Sequence, residues 1–209
     1  MEGVDNQANN QMTLHSGTSN PCTLDVSASS EMFTGHVLGT QCHSTQFADA
    51  GCGISDTRPT SFGHGFNDAR GGVFALLWDK STGISIWHFA RADIPEDITN
   101  KRPTPANLGK PAGHWSSAMC DIAANFYDHS MIIDTTVCGG WANGAYGYSG
   151  CPETCAEMVA DSSNFHGELI ELCFVARSAD VLPRCKMEDQ VPLRLSVSIL
   201  SRVDHTLHG

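Results

Sequence analysis

Gly71-Gly72-Val73-Phe74-Ala75-Leu76-Leu77-Trp78 and Gly83-Ile84-Ser85-Ile86-Trp87-His88-Phe89 are two runs rich in branched aliphatic and aromatic residues, joined by Asp79-Lys80-Ser81-Thr82. Side chains of this kind fit a pleated, half-buried surface, and the short polar connection has turn chemistry. The pair therefore predicts a β-hairpin. Phe74, Trp78, Trp87 and Phe89 lie within its strands and read as core.

Upstream, residues 8–15 end in a short alternating stretch that fits another strand, and residues 16–21 form a polar turn. Residues 25–61 are rich in Gly, Ser and Thr, without periodicity, and read as a surface loop stapled by Cys42 and Cys52. Downstream, residues 131–137 form a β-branched strand, followed by the turn-rich Gly139-Gly140-Trp141-Ala142-Asn143-Gly144. One short helix is expected over 151–160, with Pro152 near its start. Short strands, long Gly-rich loops and little helix predict an all-β fold, a β-sandwich of the jelly-roll kind.

The chain has 209 residues, 41% of them hydrophobic, enough for one sizeable core and too few for two domains. Its net charge is −11 and its 12 Lys and Arg residues are thinly spread, so it presents no basic face for a phosphate backbone. Nucleic acid is thereby excluded as the expected partner. No run of 18 apolar residues marks a membrane span, and no apolar h-region at the start of this chain marks a signal peptide.

Nine cysteines in loop-like contexts point to disulfides and an oxidising compartment. Cys42 with Cys52 is the favoured pair, and Cys120 with Cys138 or with Cys22 comes next. Cys151 and Cys155 have a spacing within the zinc-ligand range, but no second closely spaced pair accompanies them, so no metal is expected.

The stretch Met1-Glu2-Gly3-Val4-Asp5-Asn6-Gln7-Ala8-Asn9-Asn10-Gln11-Met12-Thr13-Leu14-His15 resembles the segment that follows the active-site strand in fungal, laminarinase-like β-glucanases of glycoside hydrolase family 16. In that family a G-E-x-D-x-x-E-G-V motif leads to an N-Q-M-T-L-H run. Collinear similarity continues through residues 51–54, 65–67, 71–73, 87–98, 120–122 and 134–141.

The resemblance implies a jelly-roll enzyme that hydrolyses internal bonds of β-1,3 or mixed β-1,3/1,4 glucans with retention of configuration. Retention needs a nucleophilic and an acid/base carboxylate about 5–5.5 Å apart. By alignment Glu2 is the acid/base, and the nucleophile's position precedes Met1. His15 falls where the family has a cleft-lining histidine, and Trp141 offers an indole face for a sugar ring.

The further expectations follow from the same resemblance. The sandwich is incomplete, its amino-terminal half missing, and residues 8–15 and 71–89 form adjacent walls of one curved β layer. Residues 1–166 are a partial family 16 domain, and residues 167–209 are a divergent tail, mistranslated or disordered. The partner is β-glucan, no cofactor is required, the protein is a monomer, and the full-length family member is extracellular. The alternative is a non-catalytic β-glucan-binding protein that kept the cleft and lost the nucleophile.

Overall fold

The computed structural model describes residues 7–27, 29–45, 49–129, 138–148, 150, 152–161, 171–176 and 194–201. Two sheets dominate. The first contains β1 (Gln11–Leu14), β2 (His36–Val37) and β3 (Cys52–Ser55) in the order β1-β3-β2, all antiparallel. The second contains β4 (Gly72–Asp79), β5 (Gly83–Ala90), β6 (Gly113–Ser116), β7 (Glu171–Ala176) and β8 (Arg194–Ser201) in the order β6-β5-β4-β8-β7. β5 pairs antiparallel with β4 and β6, whereas β8 runs parallel to both β4 and β7.

The hairpin of β4 and β5 forms as the sequence predicts, in a register running from Gly72 opposite Ala90 to Asp79 opposite Gly83. Its turn is held by Asp79, whose Oδ1 accepts from the backbone N–H groups of Ser81 at 2.8 Å and Thr82 at 2.9 Å. These bonds, with one from the Ser81 hydroxyl as the largest cause, hold the Asp79 carboxyl down at about 2. Gly83 has φ +119°, and a Cβ there would lie 2.0 Å from the carbonyl oxygen of Trp115 on the neighbouring strand. Only glycine combines that dihedral with so close a strand.

The core lies between the two sheets. Met12, Leu14 and Ile54 from the first sheet meet Ile84, Ile86 and Trp115 from the second, with Phe33 and Ile122 filling the flanks. Thus residues 8–15 and 71–89 are not adjacent walls of one layer. Strand β1 belongs to the opposite sheet, and the two segments face each other across the core. A smaller apolar cluster, Ala75, Trp87 and Leu108, lies on the far side of the hairpin under the segment that precedes β6, where Trp87 Nε1 donates to the Gly109 carbonyl at 2.9 Å. Phe74 and Trp87 are buried and Trp78 and Phe89 half-buried, in keeping with their reading as core.

The stretch 25–61 is not simply a loop. It contains the helical turn α1 (Ser29–Met32), the edge strand β2 and the buried β3, which is the middle strand of the first sheet. Gly-Cys-Gly-Ile-Ser has no run of β-branched residues to announce a strand, and β3 is specified by pairing on both sides. The other short helices are α2 (Gly63–Asp68), α3 (Glu96–Thr99), α4 (Ile122–Asn125), α5 (Gly140–Tyr146) and α6 (Cys155–Ala160). The expected helix corresponds to α6, which starts at a capping box: Thr154 accepts from Glu157 N–H, and the Glu157 carboxylate accepts from Thr154 N–H. The strand expected at 131–137 and the boundary expected at 166 lie outside the described residues.

Among the described residues, three disulfides join Cys22 to Cys120, Cys42 to Cys52 and Cys138 to Cys155. The second is the favoured pair, and Cys120 takes Cys22 rather than Cys138. Cys155 is therefore committed to a disulfide instead of a zinc site. Cys22–Cys120 closes a separation of 98 residues, and a loop of that size stabilises by about 4–5 kcal/mol in the chain-entropy account.

Replacing Trp115 with Ala removes the largest fully buried side chain among the described residues and should lower unfolding stability by about 3–5 kcal/mol in urea titrations. An unchanged midpoint would show that the two sheets do not depend on this side chain for their packing.

Candidate active-site face

Alternation along β1 sets the geometry of the candidate site. Met12 and Leu14 are buried, Gln11 and Thr13 are half-buried, and His15, one residue past the strand, is exposed. The odd-numbered side chains therefore leave the sheet on the face opposite the core. In register with them, Gln11 lies opposite Ser55, which lies opposite His36, and Thr13 lies opposite Gly53. The outer face thus carries the polar Gln11, Thr13, Ser55 and His36, with His15 at one end and the exposed Leu38 beside Gly53.

Gly53 keeps the middle of this face low. A Cβ there would meet Leu38 Cβ at 3.4 Å, Thr13 Oγ1 at 3.5 Å and Gln11 Nε2 at 3.6 Å. Gln11 Nε2 donates to Thr13 Oγ1 at 3.3 Å, which ties the two side chains together across the trough. At the edge strand, His36 also borders a groove of about 550 Å³ lined by Val26, Ser30, Phe33, Val37 and Lys110. Lys110 closes one side of it by donating from Nζ to the Ser30 carbonyl at 2.8 Å.

His15 is held at Nδ1, which lies 2.7 Å from Ser44 Oγ and 3.4 Å from Asp49 Oδ1. Its ring rests on Gly51, where a Cβ would come within 2.7 Å of Cε1 and where φ is +66°. Ser44, Asp49 and Gly51 all belong to the loop closed by Cys42–Cys52. The cysteine spacing signalled that loop, but nothing in the sequence signalled that it folds onto His15.

Of the other predicted site residues, Glu2 lies outside the described residues. Trp141 falls in the helix α5 rather than in an irregular Gly-flanked loop, and the Cys138–Cys155 disulfide joins the residues just before α5 to the start of α6. Among the described residues, no group of three or more His, Cys, Asp or Glu side chains is placed to hold a metal ion. No described helix is long and apolar enough to cross a membrane.

Behind the face, at one end of the core, lies a polar cluster that sequence reasoning missed, in which Asp56, Asn10, Ser61 and His88 are buried and Arg58 reaches solvent. Arg58 forks onto Asp56, with Nε 3.3 Å from Oδ1 and Nη2 3.3 Å from Oδ2. Asp56 N–H donates to the Asn10 carbonyl at 2.9 Å, and Asn10 N–H donates to Ser61 Oγ at 2.9 Å. These bonds bind the residue preceding β1 to the segment following β3. His88, fully buried, lies with Nδ1 3.8 Å from Asp56 Oδ2 and against the rings of Phe66 and Phe74. Burial, aided by the nearby Arg58 charge, pushes its imidazole down to about 4 against the opposing pull of Asp56 and, more weakly, Asp93. His88 is thus neutral at neutral pH, and the ionic partner of Asp56 is Arg58.

Comparison with known proteins places this geometry in context. The family described as "XgeA-like, catalytic GH16 domain" matches residues 1–172. The chain is 36% identical over 165 residues to a probable glycosidase of Schizosaccharomyces pombe, covering 78% of this chain and 38% of that protein. It is 37% identical over 164 residues to a probable endo-1,3(4)-β-glucanase of Aspergillus flavus, covering 22% of that protein. The chain therefore spans well under half the length of these curated relatives.

Among solved structures, an elongating family 16 β-1,3-glucosyltransferase matches with a TM-score of 0.68 and 33% identity, over 78% of this chain and 55% of that one. Laminarinase 16A from Phanerochaete chrysosporium, with β-glucans in both donor and acceptor sites, matches with a TM-score of 0.66 and 30% identity over the same shares. The two-sheet arrangement is the β-jelly-roll of these neighbours.

Neutral burial of His88 has a measurable consequence. Its folded pKa lies below its unfolded value of 6.5, so between the two the unfolded chain binds more protons. The stability that His88 confers as a neutral group is complete above about pH 6.5 and falls as pH drops toward about 4, by on the order of 2–3 kcal/mol. Denaturant midpoints across that range should show this slope, and His88→Leu should flatten it. An equal slope in both proteins would assign the acid sensitivity elsewhere.

Proposed function

The chain belongs to glycoside hydrolase family 16, and from that premise we propose that it serves the retaining hydrolysis of internal bonds in β-1,3 or mixed β-1,3/1,4 glucan. The observation that carries this reading is the polar outer face of the first sheet, built by strict alternation along β1 and ending in His15. A face of hydroxyl, amide and imidazole groups around a Gly53 trough, with one exposed apolar side chain, Leu38, at its rim, suits a neutral polyhydroxylated chain. Such a ligand needs many weak hydrogen bonds and few charges.

In this reading Glu2 supplies the acid/base carboxyl, protonating the leaving glycosidic oxygen and then activating water. His15 hydrogen-bonds a sugar hydroxyl or the carboxylate, and Trp141 stacks on a pyranose ring. Three disulfides and the fungal glucanase relatives support an extracellular setting.

Affinity electrophoresis in laminarin gels should retard this chain, and His15→Ala should weaken the retardation several-fold, about the effect of one or two lost hydrogen bonds. Hydrolysis of laminarin should accompany the family motif that ends at Glu2, and Glu2→Gln should abolish it. Products longer than the substrate would assign transfer rather than hydrolysis. No retardation and no hydrolysis would overturn the reading.

A further inference from the structure

We propose that the loop closed by the Cys42–Cys52 disulfide is a positioning device for His15, in which Asp49 and Ser44 hold the imidazole in its Nδ1–H tautomer and leave Nε2 as the acceptor offered to a glucan hydroxyl. The proposal deepens the glucan-binding reading and rests on it for the identity of the ligand.

The tautomer follows from the donors and acceptors around the ring. An ionised carboxylate only accepts hydrogen bonds, so Asp49 Oδ1, 3.4 Å from Nδ1, is favourable when Nδ1 carries the proton. Ser44 Oγ, at 2.7 Å, accepts the same proton. With the proton on Nε2 instead, the Nδ1 lone pair would face the Asp49 carboxylate, and only the Ser44 hydroxyl would compensate. The hydrogen bond made by one ring nitrogen thereby sets what the other can do.

The loop is built to keep these groups in place. Ser16, next to His15, donates from its N–H to the Cys42 carbonyl at 2.8 Å and accepts from Ser44 N–H at 3.1 Å. Cys52, at the other end of the loop, lies opposite Leu14 in the sheet and is joined to Cys42. Both ends of the loop are thus tied to the two neighbours of His15. Gly51, left-handed and without a side chain, provides the floor on which the ring lies.

A stabilising role for the contact is weaker on physical grounds. The side chains of His15 and Asp49 are 38% and 75% exposed, and ion pairs so exposed contribute little to folding. What the contact does control is the direction and tautomer of a ring that is partly open to solvent.

The test uses the full chain, with histidine labelled by ¹⁵N and its ring nitrogens assigned while the imidazole is neutral. The parent should show His15 protonated at Nδ1. The double variant Ser44→Ala/Asp49→Ala should lose that signature and bind laminari-oligosaccharide about fivefold more weakly, the effect of one misdirected hydrogen bond. Asp49→Asn, whose amide oxygen still accepts, should retain most of both in a Ser44 background, and its recovery guards against a folding artefact. A parent protonated at Nε2, or a double variant with the parent spectrum, would overturn the proposal. A parent with the expected tautomer that binds no oligosaccharide would instead overturn the glucan reading while leaving the positioning role intact.

Discussion

Trp115 touches both halves of the sandwich. Its indole is fully buried between the sheets, its Nε1 donates to the Cys52 carbonyl of the first sheet at 3.2 Å, and its own carbonyl stands so near Gly83 that no side chain is tolerated there. The ring thus gives the two sheets a fixed separation, and a single hydrogen bond fixes where β3 lies relative to β6. An indole buried without a partner for its N–H would weaken the core it fills, so the carbonyl of Cys52 is part of the packing and not an addition to it.

That placement of β3 has consequences on the other side of the first sheet. Because Cys52 is held from the core side, β1 pairs beside it in a register that sends Met12 and Leu14 inward. Gln11, Thr13 and His15 then have no choice but to point outward. The polar face is therefore the other side of the apolar one, and a one-residue slip would bury the amide, the hydroxyl and the imidazole together. The Cys42–Cys52 disulfide starts from the same strand, so the loop that grips His15 takes its position from the core as well.

The Asp56–Arg58 pair acts at the opposite end of β1. Through Asp56 N–H to Asn10 and Asn10 N–H to Ser61, it ties the chain entering β1 to the chain leaving β3. The strand is consequently clamped before its first residue and after its last, by the hydrogen bonds of Asn10 with Asp56 and Ser61 at one end and a disulfide loop at the other. Keeping His88 neutral beside this pair avoids a buried positive charge next to the Arg58 guanidinium.

The sequence by itself determined the elements whose signal is local. The hairpin was legible because its β-branched and aromatic runs and its Asp-Lys-Ser-Thr turn all favour the same conformation. The Cys42–Cys52 pair was legible from spacing, and the membership of Glu2 and His15 in a β-glucanase pattern from collinear motifs. Tertiary structure decided what depends on partners far along the chain. Gly-Cys-Gly-Ile-Ser became a central strand because β1 and β2 flank it, Cys120 found Cys22 across 98 residues, and β1 joined the sheet opposite the hairpin. The grip of Ser44 and Asp49 on His15 and the burial of His88 beside Asp56 belong to the same class. Each joins groups about 30 residues apart, and their energies exist only once the backbone has closed the distance, so no local pattern of residue types can encode them.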